Sequence, residues 1–402
     1  MAGLEQFADV TEVKNVYLFI ADSVRNRETS DAVTSLGVSG RAISASTYTA
    51  SSYPSILTGN YPASHHVWSF DDKLSQRPEL LTGPESFGLN AETIWTDVST
   101  EKKPPFRIIG ATAEDEASIN QLSPPFVAVE HHKGGHTPYG YSFAEYTTPD
   151  FFEQVRPKLG ELSKLYRDSV RTAEERFLRA VENLKRRGLL EQTLVIYTSD
   201  HGEALGEKEN HAIVGHGDPI SPDQVNVPLV FAGAGLPNLE LDSPLSGTDV
   251  APTAISALGR SFSGLDGTDC WKGTLKDRLL RSERWVQTEL PTGDTFDRYK
   301  GTSVWDSEGG IVFQQGSRLA RAVSKIKHEL VSAPWSYLNR EIRRPGRWTA
   351  LLKGSLAKTL RYGDPGFDEA SAISEIEPFH EQSNTDEGAL DREHLRNLGY
   401  LE

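Results

Sequence analysis

One cysteine, Cys270, stands in 402 residues. Its solitude excludes an intramolecular disulfide framework and any cysteine-rich zinc module. Long apolar runs are absent too: no stretch approaches the roughly 18 apolar residues that span a bilayer. The opening MAGLEQFADVTEVKN lacks the basic start and apolar stretch of a secretory signal, so the expected location is cytoplasmic. Positive charge is in deficit, with 42 Lys and Arg against 57 Asp and Glu and a formal charge of -15. That excludes broad nucleic-acid binding, which needs clustered cations along the phosphate backbone. An anionic substrate must then meet a locally positive site, most simply one containing metal. The acidic excess fits a high-salt cytoplasm or an ordinary acidic protein about equally.

What is present is ordinary for a folded enzyme, 37% hydrophobic and 25% charged residues. From residue 15 to about 270, short apolar runs alternate with amphipathic stretches, the pattern of a mostly parallel sheet covered by helices. The expected strands are Val16–Ile20, Thr93–Trp95, Phe106–Ile109, Phe126–Val129, Leu194–Tyr197 and Pro228–Phe231. Between the fourth and fifth, Leu162, Leu165, Tyr166, Val170, Phe177, Leu178, Val181 and Leu184 recur at helical spacing, with Gly188 as a stop. This predicts a crossover helix whose apolar stripe is core. After Gly267 the character changes. Residues 303–315 predict an antiparallel hairpin with a Gly-Gly turn, and 365–390 predict a flexible acidic stretch. The expected organisation is an α/β catalytic domain over 1–270 and a smaller α+β C-terminal subdomain over 271–402.

Ligands of open α/β sheets bind outside the carboxyl ends of strands. Asp22 follows the first strand, His131 and His136 the fourth, and Asp200 and His201 the fifth. Carboxylates and imidazoles gathered there can hold a divalent cation, and Gly202 is expected to let the chain turn so that Asp200 and His201 both reach it. The hydroxyl-rich run Tyr48–Pro62 reads as a helix N-terminus. Such an end presents N–H groups to an anion, where a hydroxyl can attack a sulfur or phosphorus centre; a set of capping side chains is the plainer alternative.

The order of these segments resembles the sulfatase and alkaline phosphatase superfamily. Thr49 lies nine residues before Thr58-Gly59, the spacing of the family's nucleophile segment. Ala21–Arg25 resembles its first metal segment, TLVIYTSDHGE (193–203) its second, and Gly135–Tyr139 its substrate segment with Gly in place of the first Pro. TDVAPT (248–253), Leu265–Gly267 and LDREHLRNLGYL (390–401) resemble later segments. The resemblance implies an alkaline phosphatase-like fold and a metal-dependent hydrolase of sulfate or phosphate esters. Asp22, Asp200, His201 and Thr49 would bind metal and Thr49 would be the nucleophile. His136 and His216 would serve the transferred group or the leaving oxygen. His131 and Tyr53 are read as substrate contacts, with a structural role the alternative for His131.

The departures are informative. Thr49 stands where well-known sulfatases carry the Cys or Ser that becomes formylglycine, so no formylglycine is expected. Ser51 replaces the signature Pro, Tyr53 its Arg, and Ser23 a second Asp. Threonine at this position matches the superfamily's phosphodiesterases and phosphoryl-group transferases, which are the alternatives. Of another class is a non-catalytic binder of sulfated or phosphorylated ligands. Two carboxylates with an imidazole favour Mn²⁺ or Zn²⁺ over Ca²⁺. The expected substrate is a small-molecule, glycan or lipid ester. The basic, aromatic segment Trp335–Arg361 could dock an anionic lipid surface. A helix pair laying Arg and Lys stems over its own core is the favoured reading.

Overall fold

Seven consecutive buried residues, Asn15–Ala21, form β1, an interior strand of the main sheet. The computed structural model describes residues 3–9, 12–91, 99–289, 295–340, 345–379 and 392–398. After β1 come β2 (Gly37–Ile43), β3 (Ser86–Asn90), β4 (Phe126–His132) and β5 (Thr193–Thr198). A short pair follows, β6 (Ala204–Leu205) and β7 (Val214–Gly215), and then β8 (Asn226–Gly233), β9 (Leu239–Glu240) and β10 (Leu245–Ser246). The main sheet runs β10-β2-β8-β5-β1-β4-β3, with β9 also on β2. Its pairs are parallel except where β8 meets β2 and β5. This is the expected mostly parallel sheet, with one strand reversed.

Period-two alternation assigns each β1 side chain to a layer. Val16, Leu18 and Ile20 join one buried cluster with Ile56, Leu57, Phe106 and Val250. Tyr17, Phe19 and Ala21 join the other with Leu162, Tyr166, Val170 and Phe177 from the long helix Leu159–Arg186. That helix is the predicted crossover. Each large apolar side chain it buries contributes about 1.5–3 kcal/mol, and it ends at Gly188, whose φ of 69° suits glycine.

Several local expectations are corrected. Phe106–Ile108 lies in a helix, Pro104–Ile108, because Pro104 and Pro105 occupy first-turn positions where a missing N–H costs nothing. Strand β4 extends three residues further than expected and carries His131 within it. The expected strand Thr93–Trp95 lies outside the described residues.

A second, antiparallel sheet contains β11 (Leu280–Glu289), β12 (Thr295–Trp305), β13 (Gly309–Gln314) and β14 (Thr359–Gly363). The β12–β13 hairpin is present, but its turn is Asp306–Glu308: the Asp306 carboxylate accepts from the N–H groups of Glu308 and Gly309. Gly310 is instead paired with Trp305, whose ring leaves no room for a Cβ. Within the expected flexible stretch, Glu369–Ser374 forms a helix capped by Asp368; residues 380–390 lie outside the description. Arg392–Leu398 is a helix with Leu395 buried. No described helix is long and apolar enough to cross a membrane.

Candidate active site

Strand register builds the site. Ile20 pairs with Thr198 of β5 and with His131 of β4. Asp22 and Asp200 each lie two residues beyond that level, so their side chains return to the same face. His131 Nε2 is 3.8 Å from Asp22 Oδ2. Across the β6–β7 pair, Ala204 faces Gly215, which sets the flanking Glu203 and His216 side by side, Oε2 to Nδ1 3.3 Å.

Thr49 opens the ten-residue helix Thr49–Thr58. Its Oγ1 donates to Asp22 Oδ2 at 3.3 Å and lies 3.1 Å from His201 Nε2. The helix end is fixed to the sheet by Ser52 Oγ, which donates to the Asp200 carbonyl at 2.5 Å. Ser23, at φ 62°, holds both acids from one residue: its Oγ donates to Asp22 Oδ1 at 2.7 Å and its N–H to Asp200 Oδ1 at 3.2 Å. Non-glycine residues rarely adopt this backbone region, and the strain is characteristic of functional sites. Serine, standing where the family resemblance implies a second Asp, braces the two carboxylates.

Two glycines permit the approach. Gly135 N–H donates to the Asp22 carbonyl at 2.7 Å, a bond that the family's proline could not make. Gly202, expected to let the chain turn, is not among the glycines at positive φ; a Cβ there would lie 2.0 Å from the Asp223 carbonyl, so the close contact is what requires glycine.

The imidazole tautomers follow from their partners. His201 Nδ1 faces the Gly202 carbonyl at 3.0 Å, and His136 Nδ1 faces the Thr137 carbonyl at 2.7 Å. Carbonyls only accept, so each Nδ1 carries the proton and each Nε2 presents a lone pair. Glu203 orients His216 the same way, and is itself held by Tyr139 Oη at 2.8 Å.

Burial pushes Asp200 up, and the charge of Asp22 adds to it. Burial acts on Asp22 as well, but His136, His201 and His131 outweigh it and hold that carboxyl below the ordinary range. Burial also presses His131 down to about 4. Asp200 Oδ2 and both His131 nitrogens are buried without hydrogen-bond partners. Two acids side by side, an orphaned carboxylate oxygen and lone-pair imidazoles make a donor set that fits a divalent cation.

Two groups bring ligand atoms within 4.8 Å of one another, Asp22 with His131 and Asp200, and His201 with Glu203 and His216. His201 Nε2 stays 3.6 Å from Asp200 Oδ2 and 3.8 Å from Asp22 Oδ1, so the groups adjoin. All the sequence-derived residues therefore gather in one place, with shifts of role. His131, expected at the substrate, sits with the two acids. Tyr53, expected there too, is 1% exposed and packs its ring on His131, 5.2 Å between centroids, as a back wall. Glu203 was missed; its signal was an acid three residues beyond Asp200, within the quoted second metal segment. His136 and His216 stand 5.6 Å apart by ring centroids, and His216 has a side-chain exposure of 15%. A cavity of about 440 Å³ beside Cys270 contains none of these residues. In the basic segment, Trp335 packs on Phe152 and Arg347 donates to Asn339 and the Gly206 carbonyl, both turned into the chain.

Fold and site together define an alkaline phosphatase-like enzyme, a class acting on sulfate or phosphate esters. The sequence comparison narrows the class. Residues 107–260 match the family described as Sulfatase. The low-salt glycan biosynthesis sulfotransferase Agl7 of Haloferax volcanii is 38% identical over 314 residues, 77% of this chain and 76% of that protein. The chain belongs to the sulfatase family. In fold it is similar to the phosphonate monoester hydrolase of Agrobacterium radiobacter (TM-score 0.57, 14% identity, 84% of this chain and 96% of that one). A 2-O GAG sulfatase is similar as well (TM-score 0.55, 14% identity, 84% and 93%).

Proposed function

We propose that this chain cleaves a sulfate or phosphate ester by double displacement, with Thr49 as the nucleophile. The observation that carries this is the place of Thr49 Oγ1: first residue of a helix, 2% exposed, in contact with both Asp22 and His201. The helix N-terminus favours the anion that must sit before it. Asp22, Asp200, His201 and His131 would hold a divalent cation, with Mn²⁺ or Zn²⁺ suited to this oxygen and nitrogen set better than Ca²⁺. When bound, the cation supplies charge neutralisation and lowers the proton affinity of the Thr49 hydroxyl.

In the first step Thr49 Oγ1 gives up its proton as the Oγ1–S or Oγ1–P bond forms, and the S–O or P–O bond to the ester oxygen breaks. His136 and His216 stand together with Nε2 unprotonated; once Nε2 of either takes up the Thr49 proton, relayed through solvent, it can stabilise the transferred oxygens and protonate the leaving one. A second attack then breaks the Thr49 ester and frees the enzyme. The attacking oxygen can be water, giving hydrolysis. It can also be a hydroxyl of an acceptor, giving group transfer; the sulfotransferase named among the relatives favours this second reading, with a glycan as acceptor.

Nitrophenyl sulfate, phosphate, phosphonate and phosphodiester substrates, assayed with wild type and Thr49→Ala, with and without chelator, test the proposal. Loss of the nucleophile should cost at least about 10⁴-fold in turnover. Unchanged turnover in Thr49→Ala, or indifference to chelator, would sink it.

A further inference from the structure

Arg284 lies on β11, the strand that reaches the Thr49 segment: the Glu283 N–H donates to the Ala45 carbonyl at 2.8 Å. Its guanidinium carbon is 4.2 Å from the ring centroid of Tyr48, the residue before Thr49. The side chain is 6% exposed, its Nε and Nη1 are buried without hydrogen-bond partners, and it makes no ion pair among the described residues. A buried guanidinium to which no acid is hydrogen-bonded is costly, and a ligand oxyanion can supply the missing partner.

The surroundings are positive. Burial would push Asp218 up, but Lys325, Arg298 and Arg284 outweigh it and hold that carboxyl below the ordinary range. Lys325 is shared with Glu329, 3.0 Å away. Lys325 Nζ lies against Gly217, the neighbour of His216: a Cβ built on that glycine would stand 3.2 Å from it. The patch therefore adjoins the Thr49 site at its most exposed histidine.

We propose that Arg284, supported by Arg298 and Lys325, is an anion subsite that takes a second charged group of the substrate. The substrate class is then an ester whose carrier already bears a carboxylate, sulfate or phosphate. This rests on the reading of Thr49 as the reacting centre. The guanidinium fork suits such oxyanions, and Tyr48 holds its plane.

The test is calorimetric titration of Thr49→Ala protein, with Mn²⁺ present, by phenyl and 3-carboxyphenyl sulfate and the two corresponding phosphates. The added carboxylate should tighten binding by about tenfold or more, the worth of one charge-assisted hydrogen bond. Arg284→Met in the same background should abolish that advantage, with a melting temperature at or above the parent's, since an unpaired buried charge has been removed. Equal affinity for plain and carboxylated esters overturns the proposal. So does an advantage that survives Arg284→Met, a drop in melting temperature, or equal weakening of both esters, which would put Arg284 on the reacting group. Failure of Thr49 as nucleophile appears separately, as turnover by Thr49→Ala, and leaves the affinity ratio meaningful.

Discussion

Substituting Asp200 by Asn separates the cost of the site from its use. Asp200 Oδ1 accepts from the N–H groups of Ser23 and His201, and asparagine keeps that acceptor; the exchange falls on Oδ2, which has no hydrogen-bond partner. In chelator, Asp200→Asn removes a buried acid that Asp22 repels, so its melting temperature should equal or exceed that of wild type. With cation the order should reverse. A ligand at a hundred times its dissociation constant adds about 2.7 kcal/mol to stability. At about 2.1 cal/mol/K per residue, 402 residues unfold with about 0.8 kcal/mol/K, so wild type should gain roughly 3 °C. The variant should gain about 1 °C or less under the same conditions. Differential scanning calorimetry in chelator and in Mn²⁺ reads all four values. A wild type that does not respond to metal, or an Asp200→Asn protein destabilised in chelator, would refute the assignment of this pair as a cation site.

Glu203→Gln should weaken metal affinity or turnover by about 10- to 100-fold, because the orientation of His216 passes through it; wild-type values would show Glu203 to be a bystander. Glu283, buried on β11, is pushed up to about 7 by burial, with Arg281 3.6 Å away opposing only in part. A raised carboxyl holds its proton more tightly in the folded state. Its stabilising contribution is therefore full below about pH 4.5 and is lost as pH rises through about 7. Glu283→Gln should remove a pH-dependent loss of roughly 3 kcal/mol, read from urea midpoints at about pH 5 and pH 8. Parallel profiles for the two proteins would contradict it.

The interior strands were legible because β1, β4 and β5 are continuous apolar runs, the mark of strands buried on both faces. The long helix was legible from its stripe. Strand β2, GVSGRAI, was not, since two glycines and an arginine leave no pattern; its identity comes from pairing with β8. Phe106–Ile109 shows the opposite failure, four apolar residues that fit a strand or a helix until the preceding prolines decide. At the site, Asp22, Thr49, Asp200 and His201 could be named because they follow strand ends or open a helix in a recognisable order. The grouping of His131 with the acids needed strand register, and the role of Glu203 needed the β6–β7 pairing, neither of which one sequence displays. Arg284 lies more than 80 residues beyond that motif, and only the second sheet brings it to Tyr48.

The central claim is that Thr49 becomes covalently esterified during turnover. Enzyme quenched in acid during steady-state cleavage of a nitrophenyl ester, then digested and mapped by mass spectrometry, tests it directly. The account predicts that the peptide carrying Thr49 gains the mass of one sulfuryl or phosphoryl group, with fragment ions placing it on Thr49, and that Thr49→Ala shows none. Full turnover with an unmodified Thr49 peptide, or an adduct on another residue, would contradict it.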